Sequence, residues 1–397
     1  MDKLSYLSKQ DGIKGSIKDS PEDFMVEEIG TDGTVFEIGK EIEHEDEEGD
    51  YTHFILQKRE WTTEGAIRRM AKYFKTGKKR FNYAGNKDKI AVSTQIASAF
   101  GIDKEKLLSL DLKDIKINGA WNAKEKIKLG ELIGNRFTIR VNDYEDGNKV
   151  EIIYKELEGK FPNYFGEQRF GTTRKNTHKT GEQMLRGRYD KAVMIFLADT
   201  EGEINEDAKN ARKNLEETKD FTAALKEFPK YLRLERSMLE KLSKNPNDYV
   251  GALRALPRGT LLMFIHAFQS YLFNRILSER ISEENLKPEE GEYFCGENFY
   301  GFPDIEKKAE NGWIAGKLIG YETELNEREK NLLEELDIRK NDFKVKGIPE
   351  LSSKGNYRTL LSPLKDFSFD EGIFRFSLPA GSYATVALKE FLDVKNA

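Results

Sequence analysis

The sequence predicts an α+β protein of two domains, a strand-rich first domain interrupted by a mostly helical insertion. Three observations carry this. The first 140 residues alternate short β-like runs around one clear helix, whereas from about Arg186 to Glu283 the apolar spacing is mostly helical. The last strand-like run, Ile373-Phe-Arg-Phe-Ser-Leu, with a helix from about Ser382 to Leu392, is too short to hold a core alone and must dock on the earlier sheet. With 397 residues the chain exceeds one ordinary core. The boundaries that follow are 1–185 with 346–397 for the discontinuous domain and 186–345 for the insertion.

Phe24-Met25-Val26-Glu27 and His53 to Lys58 are rich in β-forming residues and read as strands. From Ile90 to Phe100 the side chains of Val92, Thr94, Ile96, Ser98 and Phe100 fall on one face, which is expected to be buried. Between these runs, Glu64 to Thr76 carries Ala66, Ile67, Met70, Ala71 and Phe74 at helical spacing, with Thr62 or Thr63 as N-cap and Gly77 just past the end. Residues 127–142 give a strand pair, Ile127 to Gly130 and Asn135 to Val141. In the insertion, Leu261 to Ile281 is a helix with Phe264, Ile265, Phe268, Tyr271, Leu272 and Ile276 on its apolar side. His266 on that helix reads as a packed or capping histidine. No internal repeat and no low-complexity linker is visible.

Composition narrows the function classes. The chain is 38% hydrophobic and 34% charged, as in soluble globular proteins. No apolar run approaches the ~20 residues that cross a bilayer, and the opening residues lack the apolar stretch of a signal peptide, so a cytoplasmic home is expected. One cysteine, Cys295, and four scattered histidines offer no disulfide and no zinc spacing. The acidic runs lack the spacing of a calcium loop, and the phosphate-loop and dinucleotide signatures are absent. The net charge of -5 hides an uneven distribution: Lys58 to Lys89 holds eleven Lys/Arg against three Asp/Glu. Such a basic segment suits a polyanion, while the acidic Glu41 to Asp50 reads as a solvated loop.

Three segments could do chemistry. In Gly85-Asn86-Lys87-Asp88-Lys89, an acid between two lysines enters a strand from a glycine-marked loop, and the adjacent positive charge should hold it ionised. Read alone, it is also an ordinary charged turn. Pro162-Asn163-Tyr164-Phe165-Gly166-Glu167-Gln168-Arg169-Phe170-Gly171 interleaves aromatics that stack on bases, amides that read base edges and glycines that admit a close ligand. A loop whose aromatics fill the core fits it about as well, but Arg174, Lys175, Lys179, Arg186 and Arg188 follow and favour a polyanion. Leu378-Pro379-Ala380-Gly381-Ser382-Tyr383-Ala384-Thr385 leads into the terminal helix, whose free N–H groups suit a phosphate or a base edge, or simply a Ser382 cap.

Together, and in this order, these segments resemble the TruD family of tRNA pseudouridine synthases. Further matches are Lys18-x-x-Pro21-Glu22-Asp23-Phe24-x-Val26-Glu27, Gly130-x-x-x-Gly134-Asn135-x-Phe137-Thr138 and Gln269-Ser270-x-Leu272-Phe273-Asn274, so the resemblance spans about residues 13 to 392. It implies a pseudouridine synthase catalytic domain, a bent and largely antiparallel mixed sheet with helices, bearing a mostly helical α/β insertion of the larger archaeal and eukaryotic type. It implies an isomerase, an intramolecular transferase, that converts a uridine of tRNA, by family analogy uridine 13, with tRNA as partner. No metal, no cofactor, no membrane and no obligate protein partner is implied.

By the same resemblance Asp88 is the catalytic carboxylate and Phe165 stacks on the target uracil. Lys18, Phe24, Lys87, Asn163, Gln168, Arg169 and Tyr383 line or brace the RNA site. Asn86 and Tyr383 depart from the usual residues, Tyr383 standing where bacterial members often carry Phe. The implied reaction flips the uridine out and cleaves its glycosidic bond with Asp88 as nucleophile or base; C5 then bonds to C1′ and loses its proton. Two other classes stay open on the residues alone: an RNA-binding or chaperone module without turnover, and a carboxylate-pair hydrolase using Asp88 with Glu27 or Glu167.

Overall fold

A strand buried on both faces, Val92–Phe100, is central to a mixed sheet in which Phe24–Ile29 flanks it on one edge and Tyr51–Arg59 on the other. The full order in the computed structural model, which describes residues 4–393, is Lys365–Asp370, Ile373–Pro379, Gly134–Asn142, Phe24–Ile29, Val92–Phe100, Tyr51–Arg59 and Ile115–Ala123. Ser16–Ile17 adds to Gly134–Asn142, and Phe81–Tyr83 to Val92–Phe100. Phe24–Ile29 runs parallel to Val92–Phe100, with Met25 opposite Val92, and the other pairings described here are antiparallel. The C-terminal run docks as its length demands, Ile373–Pro379 pairing with Gly134–Asn142 from Ile373 opposite Arg140 to Pro379 opposite Gly134.

The helix Thr63–Tyr73 covers one face of this sheet. Thr62 caps it, its Oγ1 accepting from the Gly65 N–H at 3.0 Å. Ala66, Ile67, Met70 and Ala71 pack on Phe54, Leu56, Ala97 and Ala99. Ile55, Ile96, Phe36 and Trp121 pack on the opposite face. The strand expected to bury one side therefore buries both, and Phe100 at its end is exposed instead of buried.

Four local readings need correction. The helix ends before Gly77, because Lys75 takes a left-handed φ of 53°. Residues 127–130 are a turn rather than a strand: Gly130 has φ 94°, Glu131 N–H donates to the Lys128 carbonyl, and Leu129 faces solvent. The terminal helix is short, Ala384–Leu388. Ser382 does not cap it; its hydroxyl donates to Asn163 Oδ1 at 2.9 Å and lies 3.0 Å from Ser362 Oγ.

Contacts divide the chain into two units, and the division differs from the expected boundaries. The sheet unit holds Leu7–Asn163, Glu297–Asp304 and the chain from Leu361 onward. The other unit holds residues 4–6, Tyr164–Gly296 and Ile305–Leu360. Residues 164–185 go with the helical unit because Thr177–Leu185 packs against the long helix Arg258–Ser282. That long helix buries Leu261, Phe264, Ile265, Phe268, Leu272 and Ile276, as its spacing predicts. A small sheet ordered Pro303–Ala309, Tyr293–Glu297, Trp313–Leu318 and Asn356–Thr359 completes the α/β character of the insertion. Conversely, Glu297–Asp304 joins the sheet unit, where the fully buried Phe302 ring fits against Gly134 so closely that a Cβ there would come within 2.6 Å of it.

Candidate active site

The sheet face under the Thr63–Tyr73 helix changes character along its length. Register pairs Thr52 with Ala99, Phe54 with Ala97, Leu56 with Gln95 and Lys58 with Ser93. An apolar floor thus passes into a polar one, and the segment Ala84–Ile90 is held over the polar end. Gln95 Nε2 donates to the Gly85 carbonyl at 2.7 Å. Thr63 Oγ1 accepts the Lys87 N–H at 2.9 Å and donates to Gln95 Oε1 at 2.8 Å. Lys58 Nζ donates to the Asp88 main-chain carbonyl at 2.8 Å. The loop backbone is pinned at three successive places, which fixes where the Asp88 side chain leaves it.

The Asp88 carboxylate meets Lys18, whose Nζ lies 3.4 Å from Oδ2. Lys18 has φ 66° and sets its ammonium 4.1 Å from the centroid of Phe24, a cation–π contact that fixes the amine between ring and carboxylate. Phe24 is 2% exposed and packs edge-on to Phe137. It is one of the residues expected to line or brace the RNA site, and its burial puts it beneath Lys18 as a support. Lys87, expected in the same set, is likewise a support. Its ammonium is buried, 2.5 Å from Glu28 Oε2 and 2.6 Å from Asn135 Oδ1, so it braces the loop instead of facing RNA. Burial pushes the Glu28 carboxyl up from its ordinary range, opposed by the Lys87 charge and by the Ile96 N–H.

Around the loop, Asn86, Lys89 and Ile90 are exposed, as are Arg69, Lys72, Lys75, Lys79 and Arg80 along the helix and the turn after it. Glu64 engages only Arg68 and Lys78 of that basic segment. Asn163 and Tyr383 also belong to this unit; Asn163 is 4% exposed and tied to the Pro379–Ser382 turn through Ser382.

Phe165, Gln168 and Arg169 belong to the other unit. Asn274 Oδ1 accepts the Phe165 N–H at 2.8 Å, and its Nδ2 donates to the Phe165 carbonyl at 2.9 Å. Phe273 meets the Phe165 ring edge-on with centroids 5.7 Å apart, and the Arg358 guanidinium lies 4.1 Å from the ring centroid. Arg169 Nε donates to Ser270 Oγ at 3.2 Å, and its guanidinium is 5.6 Å from the same ring. Gln168 is exposed on the turn Glu167–Phe170. The result is a half-buried aromatic ring with the Arg358 guanidinium stacked on it and that of Arg169 close by. His266, neighbour to Arg169, is pushed below its ordinary pKa by burial and then by that charge.

Each of the five basic residues singled out after Gly171 has a carboxylate within 4 Å, Arg188 through Asp337 at 3.9 Å. Arg174 is buried, 3.4 Å from Glu235, and burial beside Arg212 lowers it to about 10. Lys175 pairs with Glu167, Lys179 with Glu201 and Arg186 with Glu182. Sequence reasoning gave no role to Lys58 or Arg358, and it placed Asn274 in a matching block without assigning what it does. Lys58 carried its own signal, a lysine in step with the inward-facing Phe54 and Leu56.

A sequence model of the family TruD, tRNA pseudouridine synthase D, matches residues 1–391. This chain belongs to that family. A protein of Archaeoglobus fulgidus named "Probable tRNA pseudouridine synthase D" is 37% identical over 414 residues, covering 98% of this chain and 97% of the relative. One of Methanosarcina barkeri with the same name is 34% identical over 431 residues, covering 98% and 95%. The crystal structure of a Methanosarcina mazei protein assigned as tRNA pseudouridine synthase D (TruD) matches with TM-score 0.76 at 34% identity, covering 98% of this chain and 96% of the other. The TruD relationship therefore extends over both units, and the α+β fold with its inserted unit is that of the family.

Proposed function

We propose that this protein is a tRNA pseudouridine synthase that isomerises uridine, at position 13, to pseudouridine in tRNA, with Asp88 as the catalytic carboxylate. The observation that carries the reading is the Asp88–Lys18 ion pair at the end of a loop pinned from below, in a chain of the TruD family. The exposed basic side chains of residues 69–80 draw in the phosphate backbone. The uridine is everted, and Phe165 serves as the stacking platform for its base. Asp88 promotes cleavage of the C1′–N1 bond; the uracil turns, C5 bonds to C1′, C5 gives up its proton and N1 gains one. The atoms balance without an oxidant, a reductant or a second substrate.

A hydrolase working through a pair of carboxylates is less well supported. Glu27 is committed to Arg136 at 2.6 Å and to the Ile38 N–H at 2.9 Å, and Glu167 to Lys175. The test is chemical mapping of pseudouridine in unmodified tRNA transcripts after incubation with the purified protein. A single new pseudouridine at position 13 supports the reading in full. Free uracil points to hydrolysis, and unchanged RNA to a binding module.

A further inference from the structure

Lys58 is a fully buried lysine that no step of the reaction above employs. It lies in the strand Tyr51–Arg59 on the same face as Phe54 and Leu56, where an aliphatic residue would complete the floor. Its ammonium has no carboxylate within ion-pair distance among the described residues. It donates to the main-chain carbonyl of Asp88 at 2.8 Å and lies 3.5 Å from that of Lys87. Opposite it in the register, Ser93 Oγ is buried without a hydrogen-bond partner. Burying an ammonium on carbonyls alone is costly, and burial accordingly lowers its pKa to about 8. A fold selected only for packing gains nothing from this arrangement, since a methionine of similar volume would fill the space without the cost.

We propose that Lys58 is a positioning residue for the reaction: its ammonium holds the Asp88 peptide from beneath the loop, so that the carboxylate is presented in one fixed direction. The inference rests on the reading of Asp88 as the catalytic carboxylate. Two anchors then act on one residue from two sides, Lys18 on the side chain and Lys58 on the backbone. The Lys58 charge also attracts the Asp88 carboxylate. Nothing in this role requires Lys58 to touch RNA.

The test uses the full chain with Lys58→Met and Lys58→Arg, measuring single-turnover tritium release from tRNA labelled at uracil C5, tRNA affinity, and thermal melting. Displacing a reacting group by an ångström costs on the order of 100-fold in rate. Lys58→Met is therefore expected to lower the single-turnover rate by about that factor at unchanged tRNA affinity, and Lys58→Arg to recover much of it. Should Lys58→Met fail to fold, Lys58→Gln, which keeps a polar head without charge, is read the same way. A folded variant that turns over at the wild-type rate overturns the proposal, and so does a loss confined to tRNA affinity. Asp88→Asn measured alongside separates the two ideas. Full activity in that variant removes the reading of Asp88 itself, whereas an inactive Asp88→Asn beside a fully active Lys58→Met removes only the role of Lys58.

Discussion

The side-chain amide of Asn274 closes on the backbone of Phe165 at both its N–H and its carbonyl, 2.8 and 2.9 Å away. A loop residue is thereby fixed to the long helix Arg258–Ser282 as a strand residue would be fixed to its neighbour. Replacing Asn274 by Ala leaves both groups to find other partners, at about 1–3 kcal/mol. Denaturant melting of Asn274→Ala should show that loss, together with weaker turnover. Asn274→Asp, which keeps the acceptor and loses the donor, should fall between the two. Wild-type stability in Asn274→Ala would contradict the account.

The Lys87–Glu28 pair is the most deeply buried ion pair beneath the Asp88 loop. Removing one member strands the other charge, a cost of about 3–5 kcal/mol, whereas replacing both by apolar residues avoids it. Lys87→Met and Glu28→Leu singly should therefore be much less stable than the double variant. Additive losses in a double-mutant cycle would show that the two side chains do not act as a pair.

How much of this was readable beforehand depends on the range of the forces involved. The docking of Ile373–Pro379 followed from its own apolar pattern, because a strand with no local partner must find a sheet. The helix Thr63–Tyr73 followed from period and cap. Residues 127–130 alternate like a strand and still turn, since Gly130 at φ 94° and the Glu131–Lys128 hydrogen bond outweigh two aliphatic side chains. Arg174 was assigned to an anion surface because its partner, Glu235, is remote in sequence. Phe24 and Lys87 carry motif positions, and a motif does not say which of its members face the ligand and which support those that do.

Lys18 holds the Asp88 carboxylate from the side of Phe24. Lys18→Met keeps the aliphatic stem over the ring and removes the charge. Single-turnover rate should fall by about 10- to 100-fold, the range for losing one fixed electrostatic contact at a reacting group. Affinity for tRNA should change little, because the amine is directed at Asp88. A variant with normal chemistry and poor binding would instead place Lys18 on the phosphate backbone.

Lys58 also predicts a dependence of stability on pH. Its folded pKa of about 8 lies below the ordinary lysine value of 10.5, so burial costs stability wherever the amine is charged in the fold. Below about pH 8 both states are protonated and the cost is constant. Between about 8 and 10.5 the unfolded chain binds the extra proton, and stability rises with pH, at most by about 1.4 kcal/mol per pH unit for one group. The charged groups around it are Asp88, which raises its pKa, and Lys87, which lowers it, with Lys18 and Glu28 bound to those two. The stability difference between wild type and Lys58→Met, followed by denaturant melting, should move toward the wild type across that window. A flat difference would mean that Lys58 titrates as an ordinary lysine.

The Asp88 carboxylate is the centre of the account, and its removal with shape preserved is the most direct test. Asp88→Asn is to be incubated with tRNA carrying tritium at uracil C5, with binding measured in the same preparation. Normal binding with no release of tritium is the predicted result; release at the wild-type rate would contradict it.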